Sequence, residues 1–189
     1  MIWVFGYGSL TFRPEFAYAR REPALLRGYH RCYCSYSVKA RGTPEAPGLM
    51  MNLAPGGQCW GIAYGAEGDQ ARAMLEYLDR REGEGRSNRR VMLPLQLGRG
   101  NDHLPFTHGW TYLPSASNPN FCGLLPFEQM AAVLATCRGR VGTGYEYLTG
   151  VIRELAAFHI REPFLDMLLE AVENEMDRSG AAAPVARRA

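Results

Sequence analysis

The order of the periodic segments is the feature that most restricts the fold of this chain. Strand-like runs occupy most of the sequence up to Tyr112, one helical pattern interrupts them, and helical patterns follow from Pro126. Strands that are neighbours in sequence, followed by a block of helices, indicate an α+β domain rather than alternating βαβ units. We expect a strongly curved sheet that closes into a small barrel. A flat sheet with helices on one face stays open as an alternative.

The expected strands follow from aromatic and β-branched runs bounded by turn residues. Residues 13–23 are mixed and bounded by prolines, which predicts a loop that covers part of the domain. Pro55-Gly56-Gly57 separates two strand-like runs, so we expect a hairpin there. Residues 41–48 are rich in glycine and proline, which predicts a turn. The expected strands are 2–5, 25–38, 49–53, 58–64, 90–97 and 104–112, with a polar turn at 98–102 between the last two.

Four helices are expected from apolar residues that recur at steps of three and four. The first spans 68–82 and is expected to end at Gly83 and Gly85, since glycine favours helix C-termini. The others span 126–138, 145–160 and 163–177, the last opened by Pro163. Residues 1–178 are expected to form a single domain, and 179–189, which are small, polar or basic, a disordered tail.

Composition excludes several classes of protein. The 189 residues are 47% hydrophobic and 21% charged, which suits one domain with a sizeable core. The net charge is +2 and the basic clusters are short, so no nucleic-acid partner is expected. The start of the chain lacks a charged leader, and its apolar run is too short to span a bilayer. We therefore expect a cytoplasmic protein with no membrane partner.

The cysteines do not indicate a metal site. Five cysteines in a chain without an export signal predict reduced thiols. Cys32-x-Cys34 lies close to His30, but alternation with Tyr33 suits a strand, and no second ligand pair follows at zinc-like spacing. No H-E-x-x-H helix is present either. We expect no bound metal.

The first strand ends in a glycine-rich turn. Gly6 and Gly8 flank Tyr7, so a ligand can approach the main chain closely, and the amides of residues 7–10 could form a nest of donors for an anionic or carbonyl oxygen. An ordinary turn is the alternative. Ser9 lacks the flanking glycines of a nucleophile elbow, and neither G-x-G-x-x-G nor a P-loop motif occurs, so no dinucleotide or phosphate site is expected.

Glu82 occupies an unusual position for a charged residue. Steps of four, three and four from Ala71 reach Leu75, Leu78 and then Glu82, which places its carboxylate on the buried face of the helix. Burial and the carbonyl end of a helix both raise a carboxyl pKa, so this group is expected to exchange protons near neutral pH. The alternative is that the last turn frays, and Glu82 then faces solvent or pairs with Arg86.

Five ordered motifs resemble one known family, the ChaC-type γ-glutamylcyclotransferases that act on glutathione, over about residues 2–177. The motifs are Val4-Phe5-Gly6-Tyr7-Gly8-Ser9-Leu10, Arg41-Gly42-Thr43-Pro44-x-x-Pro47-Gly48, Cys59-Trp60-Gly61-Ile62-Ala63-Tyr64, Tyr77-Leu78-Asp79-x-Arg81-Glu82 and Glu146-Tyr147-Leu148. The resemblance implies a small mixed β-barrel with packed helices. It also implies an enzyme without cofactor that cleaves glutathione to 5-oxoproline and cysteinylglycine.

The resemblance also implies site residues. Glu82 is the expected catalytic acid and base. The chemistry of such a substrate, rather than the resemblance, suggests that Arg41 or Tyr147 binds a substrate carboxylate or hydroxyl, a structural role being the alternative for each. The γ-glutamyl group is expected to bind the first motif, that is Val4, Phe5, Gly6, Tyr7, Gly8, Ser9 and Leu10.

Two departures from the family pattern leave the exact substrate open. Arg86 stands where an aromatic residue is usual, and Gly144-Tyr145 where asparagine is common. Other γ-glutamyl peptides or γ-glutamylamines are the alternative substrates, and an inactive γ-glutamyl-binding module is the alternative function.

Overall fold

The computed structural model describes residues 1–83, 87–99 and 106–180. The strands are β1 Ile2–Gly6, β2 Arg20–Ser37, β3 Gly48–Ala66, β4 Asn88–Leu97 and β5 Phe106–Pro114, with the short β6 Arg138–Gly139 and β7 Gly142–Thr143. The helices are a 3-10 helix Ser9–Thr11, α1 Gly68–Glu82, α2 Phe127–Thr136, α3 Gly144–Ala156 and α4 Pro163–Ser179.

Five strands form a closed barrel in the order β1-β3-β2-β4-β5. The barrel closes where β1 runs parallel to β5, through the pairs Trp3 with Gly109 and Val4 with Trp110. The other strand pairs are antiparallel, so the barrel is mixed. The predicted α+β class and curved, closed sheet are confirmed, and the flat sheet is excluded.

The predicted hairpin at residues 55–57 is wrong. β3 runs unbroken through this segment, and Tyr29 pairs with Pro55 while Arg27 pairs with Gln58. One residue of β2, Gly28, therefore faces Gly56 and Gly57 of β3, and all three glycines have positive φ. The glycines thus form a bulge, which bends a strand without reversing it. The chain reverses direction between β2 and β3 at residues 38–47, which overlap the predicted turn at 41–48.

Several predicted boundaries also shift. β2 begins at Arg20, because residues 20–23 pair with β3, so the predicted loop 13–23 is shorter. α2 ends at Thr136, since the β6–β7 hairpin follows it, and α3 ends at Ala156. Gly83 ends α1 in the left-handed conformation, as predicted. α4 extends to Ser179, so the predicted tail does not begin there. The predicted roles of Gly85 and Arg86, residues 100–105 of the predicted turn and strand, and residues 181–189 of the predicted tail lie outside the described residues.

Two hydrophobic clusters place the helices around the barrel. The larger fills the barrel interior and extends beneath α2, α3 and α4. The smaller lies beneath α1, where Ala71, Met74 and Leu78 pack against Val4 and Tyr64. Within the described ranges, no helix is long and apolar enough to cross a membrane.

The start of α3 is fixed by a capping box. The Thr143 hydroxyl accepts a hydrogen bond from the Glu146 amide at 3.0 Å, and the Glu146 carboxylate accepts one from the Thr143 amide at 2.7 Å. This arrangement satisfies amide groups that the first helical turn leaves unpaired. It places Tyr147 in the first turn of α3, which contacts the 3-10 helix.

Candidate active site

A cavity of about 400 Å³ opens beside the end of α1. This outer cavity is lined by Ser9, Arg13, Glu15, Ala40, Arg41, Met50, Tyr77, Arg81, Glu82, Arg140, Val141 and Tyr147. A narrow inner cavity of about 30 Å³ adjoins it and is lined by Phe5, Tyr7, Gly8, Ser9, Leu10, Met50, Met51, Glu82, Tyr112 and Tyr147. Both are lined by Ser9, Met50, Glu82 and Tyr147, so these residues lie where the two cavities meet.

The glycine turn, residues 6–10, needs both of its glycines for steric reasons. A Cβ atom on Gly6 would lie 2.7 Å from Leu10 Cβ, and one on Gly8 would lie 2.5 Å from Tyr147 Oη. The turn therefore folds tightly on itself and against α3. Within the described residues, the amides of Gly8, Ser9 and Leu10 donate no backbone hydrogen bond. Gly8, Ser9 and Leu10 line the inner cavity, and the role of their amides as a nest of donors stays a prediction.

Glu82 is the last residue of α1 and lines both cavities. Its side chain is 17% exposed, so it points into the protein rather than into bulk solvent. Burial raises the pKa of the Glu82 carboxyl, and the positive charge of Arg81 opposes that shift. Arg81 Nε lies 3.7 Å from Glu82 Oε1. The carboxyl therefore holds its proton to a higher pH than an exposed glutamate does.

Arg81 joins the walls of the outer cavity, a role that sequence reasoning did not assign. Its guanidinium donates to the Arg13 carbonyl at 2.8 Å and to the Ser9 hydroxyl at 3.1 Å. It also pairs with the Glu15 carboxylate at 3.3 Å. Residues 13–15 are thereby held over the glycine turn, where the sequence predicted a covering loop.

Arg41 and Tyr147 form the opposite wall. Arg41 is 3% exposed, its Nη1 donates to the Thr143 carbonyl at 3.2 Å, and its guanidinium lies 5.1 Å from the centre of the Tyr147 ring. It forms no ion pair with a carboxylate of the described residues. Burial lowers the pKa of Arg41 and raises that of Tyr147 to about 12. The Glu146 carboxylate opposes the fall in the Arg41 pKa, so it is close enough to interact with this buried cation. A carboxylate of a ligand in the outer cavity would be a further anionic partner for Arg41.

Two residues of the first motif lie away from the lining of these cavities. Val4 is fully buried in the smaller hydrophobic cluster beneath α1. Gly6 is the last residue of β1 and pairs with Ile62 of β3. These two residues support the turn, whereas Phe5, Tyr7, Gly8, Ser9 and Leu10 line the inner cavity with Glu82.

No group of three or more potential metal ligands occurs in the part of the chain that the structure describes. Cys32 and Cys34 lie in β2 with their Sγ atoms 2.9 Å apart, and all five cysteines are free.

Glu82→Gln is expected to change the pH dependence of stability. Because burial raises the folded-state pKa, the folded chain keeps a proton that the unfolded chain releases, and the free energy of unfolding falls as pH rises through that window. Glutamine does not titrate and so removes this loss. The free energy of unfolding of the variant should therefore increase relative to that of the parent as pH rises. The gain is about 1.4 kcal/mol for each tenfold difference in acid dissociation between the two states. Urea titrations at about pH 4 and about pH 7 measure it. An equal stability difference at both pH values would contradict the buried carboxyl.

Comparisons with known proteins identify the family of this chain. The family model described as a ChaC-like protein matches residues 2–178. The glutathione-specific gamma-glutamylcyclotransferase 1 of Mus musculus is 31% identical over 177 residues, covering 90% of this chain and 78% of the relative. The glutathione-specific gamma-glutamylcyclotransferase of Escherichia coli (strain K12) is 27% identical over 172 residues, covering 91% and 73%.

A solved structure confirms the fold. The crystal structure of a γ-glutamyl cyclotransferase specific to glutathione from yeast matches with a TM-score of 0.84 at 24% identity, covering 92% of this chain and 96% of the yeast chain. The small mixed barrel with packed helices is therefore that of the γ-glutamyl cyclotransferases. By its family match and by its relatives, the chain belongs to the ChaC-like protein family.

Proposed function

We propose that this protein is a γ-glutamylcyclotransferase that cleaves glutathione to 5-oxoproline and cysteinylglycine. The observation that carries the proposal is the position of Glu82, a buried carboxyl with a raised pKa, in one narrow cavity with the glycine turn. Relatives named as glutathione-specific gamma-glutamylcyclotransferases support the choice of substrate.

The reaction needs no protein nucleophile. The α-amine of the γ-glutamyl group attacks the γ-carbonyl of the same group, a carbon–nitrogen bond forms within the new five-membered ring, and the bond to the cysteinyl nitrogen breaks. Because both reacting groups belong to one molecule, the main requirement is a bent substrate conformation. A narrow cavity of about 30 Å³ next to a wider one of about 400 Å³ suits a substrate bent at one end and extended at the other.

Glu82 is proposed to move the proton. An α-amine is mostly protonated at neutral pH and must lose a proton before it attacks. That first proton goes to solvent. The attack leaves one excess proton on the same nitrogen, and the Glu82 carboxylate takes it and returns it to the departing cysteinyl nitrogen, so the same group acts first as base and then as acid. A raised carboxyl pKa suits this role, because it makes the carboxylate a stronger base for the amine proton.

The glycine turn is proposed to stabilise the oxyanion. The γ-carbonyl oxygen becomes negative when the amine attacks. Gly8, Ser9 and Leu10 line the inner cavity, and among the described residues their amides donate no backbone hydrogen bond. Each well-placed donor of this kind is worth about 2.7–4 kcal/mol in known oxyanion holes.

The arginines of the outer cavity are proposed to bind the carboxylates of glutathione, which carries one at each end. Arg41 is the buried cation, and Arg13 and Arg140 line the same cavity with it. A γ-glutamylamine lacks the second carboxylate, so this lining favours a γ-glutamyl peptide.

Purified protein should release 5-oxoproline from glutathione with no metal or nucleotide added. The release of 5-oxoproline from γ-glutamyl-alanine and from γ-glutamyl-lysine, measured by liquid chromatography, is compared with its release from glutathione to rank the substrates. No release from glutathione alongside release from another compound would contradict the proposed substrate. Calorimetric binding of glutathione by folded protein without any turnover would instead indicate a binding module.

The cytoplasmic location and the absence of a nucleic-acid partner stay predictions. The roles of Glu82, the glycine turn and Arg41 are part of the proposal, and variants of Glu82 and Gly8 test the first two.

A further inference from the structure

Arg31 lies beneath the glycine turn, outside both cavity linings. Its side chain is 2% exposed. Nε donates to the Tyr7 carbonyl at 2.8 Å, Nη2 donates to the Trp60 carbonyl at 2.7 Å, and Nη1 donates to the carboxylate of Glu162. A buried guanidinium thus joins the turn, the barrel and the residue that precedes α4.

These contacts lie where β1 leaves the sheet. The last pair of β1 with β3 is Gly6 with Ile62, so Tyr7 and Trp60 lie just past the end of this ladder. Arg31 donates to both carbonyls, and neither residue belongs to a β1–β3 pair of the described residues. The direction of the Tyr7 carbonyl is therefore fixed towards the core.

A fixed carbonyl also fixes the next amide group. The described residues contain no cis peptide bond, and in a planar trans peptide the C=O and N–H groups point in opposite directions. Since the Tyr7 carbonyl points to Arg31, the Gly8 N–H points away from Arg31. Gly8 lines the inner cavity with Glu82, and its N–H donates no backbone hydrogen bond within the described ranges.

We propose that Arg31 is a positioning residue that orients and polarises the Tyr7–Gly8 peptide, so that the Gly8 N–H donates to the oxyanion of the reaction. The inference rests on the proposed function. A charged donor on the carbonyl strengthens the peptide dipole, because hydrogen bonds in a chain polarise one another. Arg31 itself touches no reacting atom in this scheme.

The kinetic test replaces Arg31 in two ways. Arg31→Lys keeps a positive charge, but an ammonium group lacks the planar, fixed donor geometry with which the guanidinium bonds two carbonyls and a carboxylate at once. Arg31→Met with Glu162→Met removes both partners, so no unpaired buried charge is left and the chain is expected to fold. In the double variant we expect kcat to fall about tenfold or more, with KM nearly unchanged. The fall should be smaller than the roughly 10²–10³-fold cost of removing an oxyanion donor altogether, because the Gly8 N–H is still present. Arg31→Lys should lie between the double variant and the parent.

Arg21→Gln is the matched control. Arg21 also lies on β2, bonds the Thr11 carbonyl near the turn at 3.4 Å and pairs with Glu154 of α3 at 2.6 Å. The Arg21→Gln variant measures how the loss of an ion pair between β2 and a helix affects stability and kcat when the Tyr7 carbonyl is left untouched. Its kcat is expected to match that of the parent, and thermal unfolding of all variants separates stability from turnover.

The spectroscopic test reads the peptide directly. The sequence contains two Tyr-Gly pairs, Tyr7-Gly8 and Tyr64-Gly65. Protein labelled with carbonyl-¹³C tyrosine and ¹⁵N glycine therefore gives two carbonyl–amide correlations, and Gly65, paired with Trp3 in the sheet, is an internal reference. In the Arg31 variants we expect the Tyr7 carbonyl carbon to move upfield and the Gly8 amide to shift, with Gly65 unchanged.

The outcomes separate this inference from the proposed function. Parent protein that releases no 5-oxoproline would overturn the proposed function, and the correlations would still decide whether Arg31 orients the peptide. Active parent protein with unchanged kcat in both Arg31 variants, or an unmoved Tyr7–Gly8 signal, would overturn the role of Arg31.

Discussion

Glu82→Gln should abolish most turnover of glutathione while leaving its binding intact. Glutamine keeps the shape of the side chain and its place at the end of α1, but it cannot accept a proton from the α-amine or return one to the leaving nitrogen. General acid and base groups contribute about 10²–10⁴-fold each, and Glu82 is proposed to serve in both steps, so we expect kcat to fall about 10³-fold or more. Steady-state release of 5-oxoproline measures kcat, and calorimetry with glutathione measures binding to the slow variant.

Glu76→Gln is the control for this substitution. Glu76 lies in the same helix and is exposed to solvent, so the same chemical change there should leave kcat and the binding of glutathione unchanged. Glu82→Asp adds a test of geometry, because it keeps the carboxyl group and withdraws it by one methylene. If Glu82→Gln kept full activity, another residue would have to be the base.

The position of Glu82 could be predicted because it depends on local geometry. Helical spacing from Ala71 places it on the apolar face, and α1 keeps that spacing to its last residue. The strand that ends at Gly6 could also be predicted from local sequence, since an apolar run that stops at glycines is typical of a buried strand followed by a turn. Both features depend on residues within one segment of the chain.

The failures arise where distant segments decide the structure. Pro55-Gly56-Gly57 has the composition of a hairpin turn, but Gly28 on the neighbouring strand turns it into a bulge, and no local pattern indicates that pairing. The roles of Arg81 and Arg31 were missed for the same reason. Their partners at Ser9, Tyr7 and Glu162 are brought close only by closure of the barrel and packing of the helices.

The glycine turn and Tyr147 are coupled by a contact that substitution can test. A Cβ atom on Gly8 would meet Tyr147 Oη at 2.5 Å, with the next neighbours at 3.6 Å and 3.7 Å. The Tyr147 ring has little room to yield, because its Oη accepts a hydrogen bond from the Met51 amide and Arg41 packs against its face. An added methyl group must therefore displace the turn, the ring or both.

Gly8→Ala is expected to lower kcat/KM for glutathione about 10²-fold, the cost of misplacing a catalytic group by about 1 Å. Tyr147→Phe removes the atom that clashes, so the double variant should be more active than the product of the two single effects. Contacts of this kind give coupling free energies of about 0.5–3 kcal/mol, which a double-mutant cycle on kcat/KM measures.

Gly28→Ala separates the clash from the general cost of losing a glycine. Gly28 has a φ of +82° and open space around its missing Cβ, so alanine there strains the backbone without a contact. We expect this variant to lose stability, measured by thermal unfolding, and to keep kcat/KM. Effects of Gly8→Ala and Tyr147→Phe that simply multiply would mean that the loss does not arise from the contact with Tyr147 Oη. A Gly8→Ala variant with full activity would mean that the turn tolerates a side chain. The amides of the turn would then not be held in place against α3.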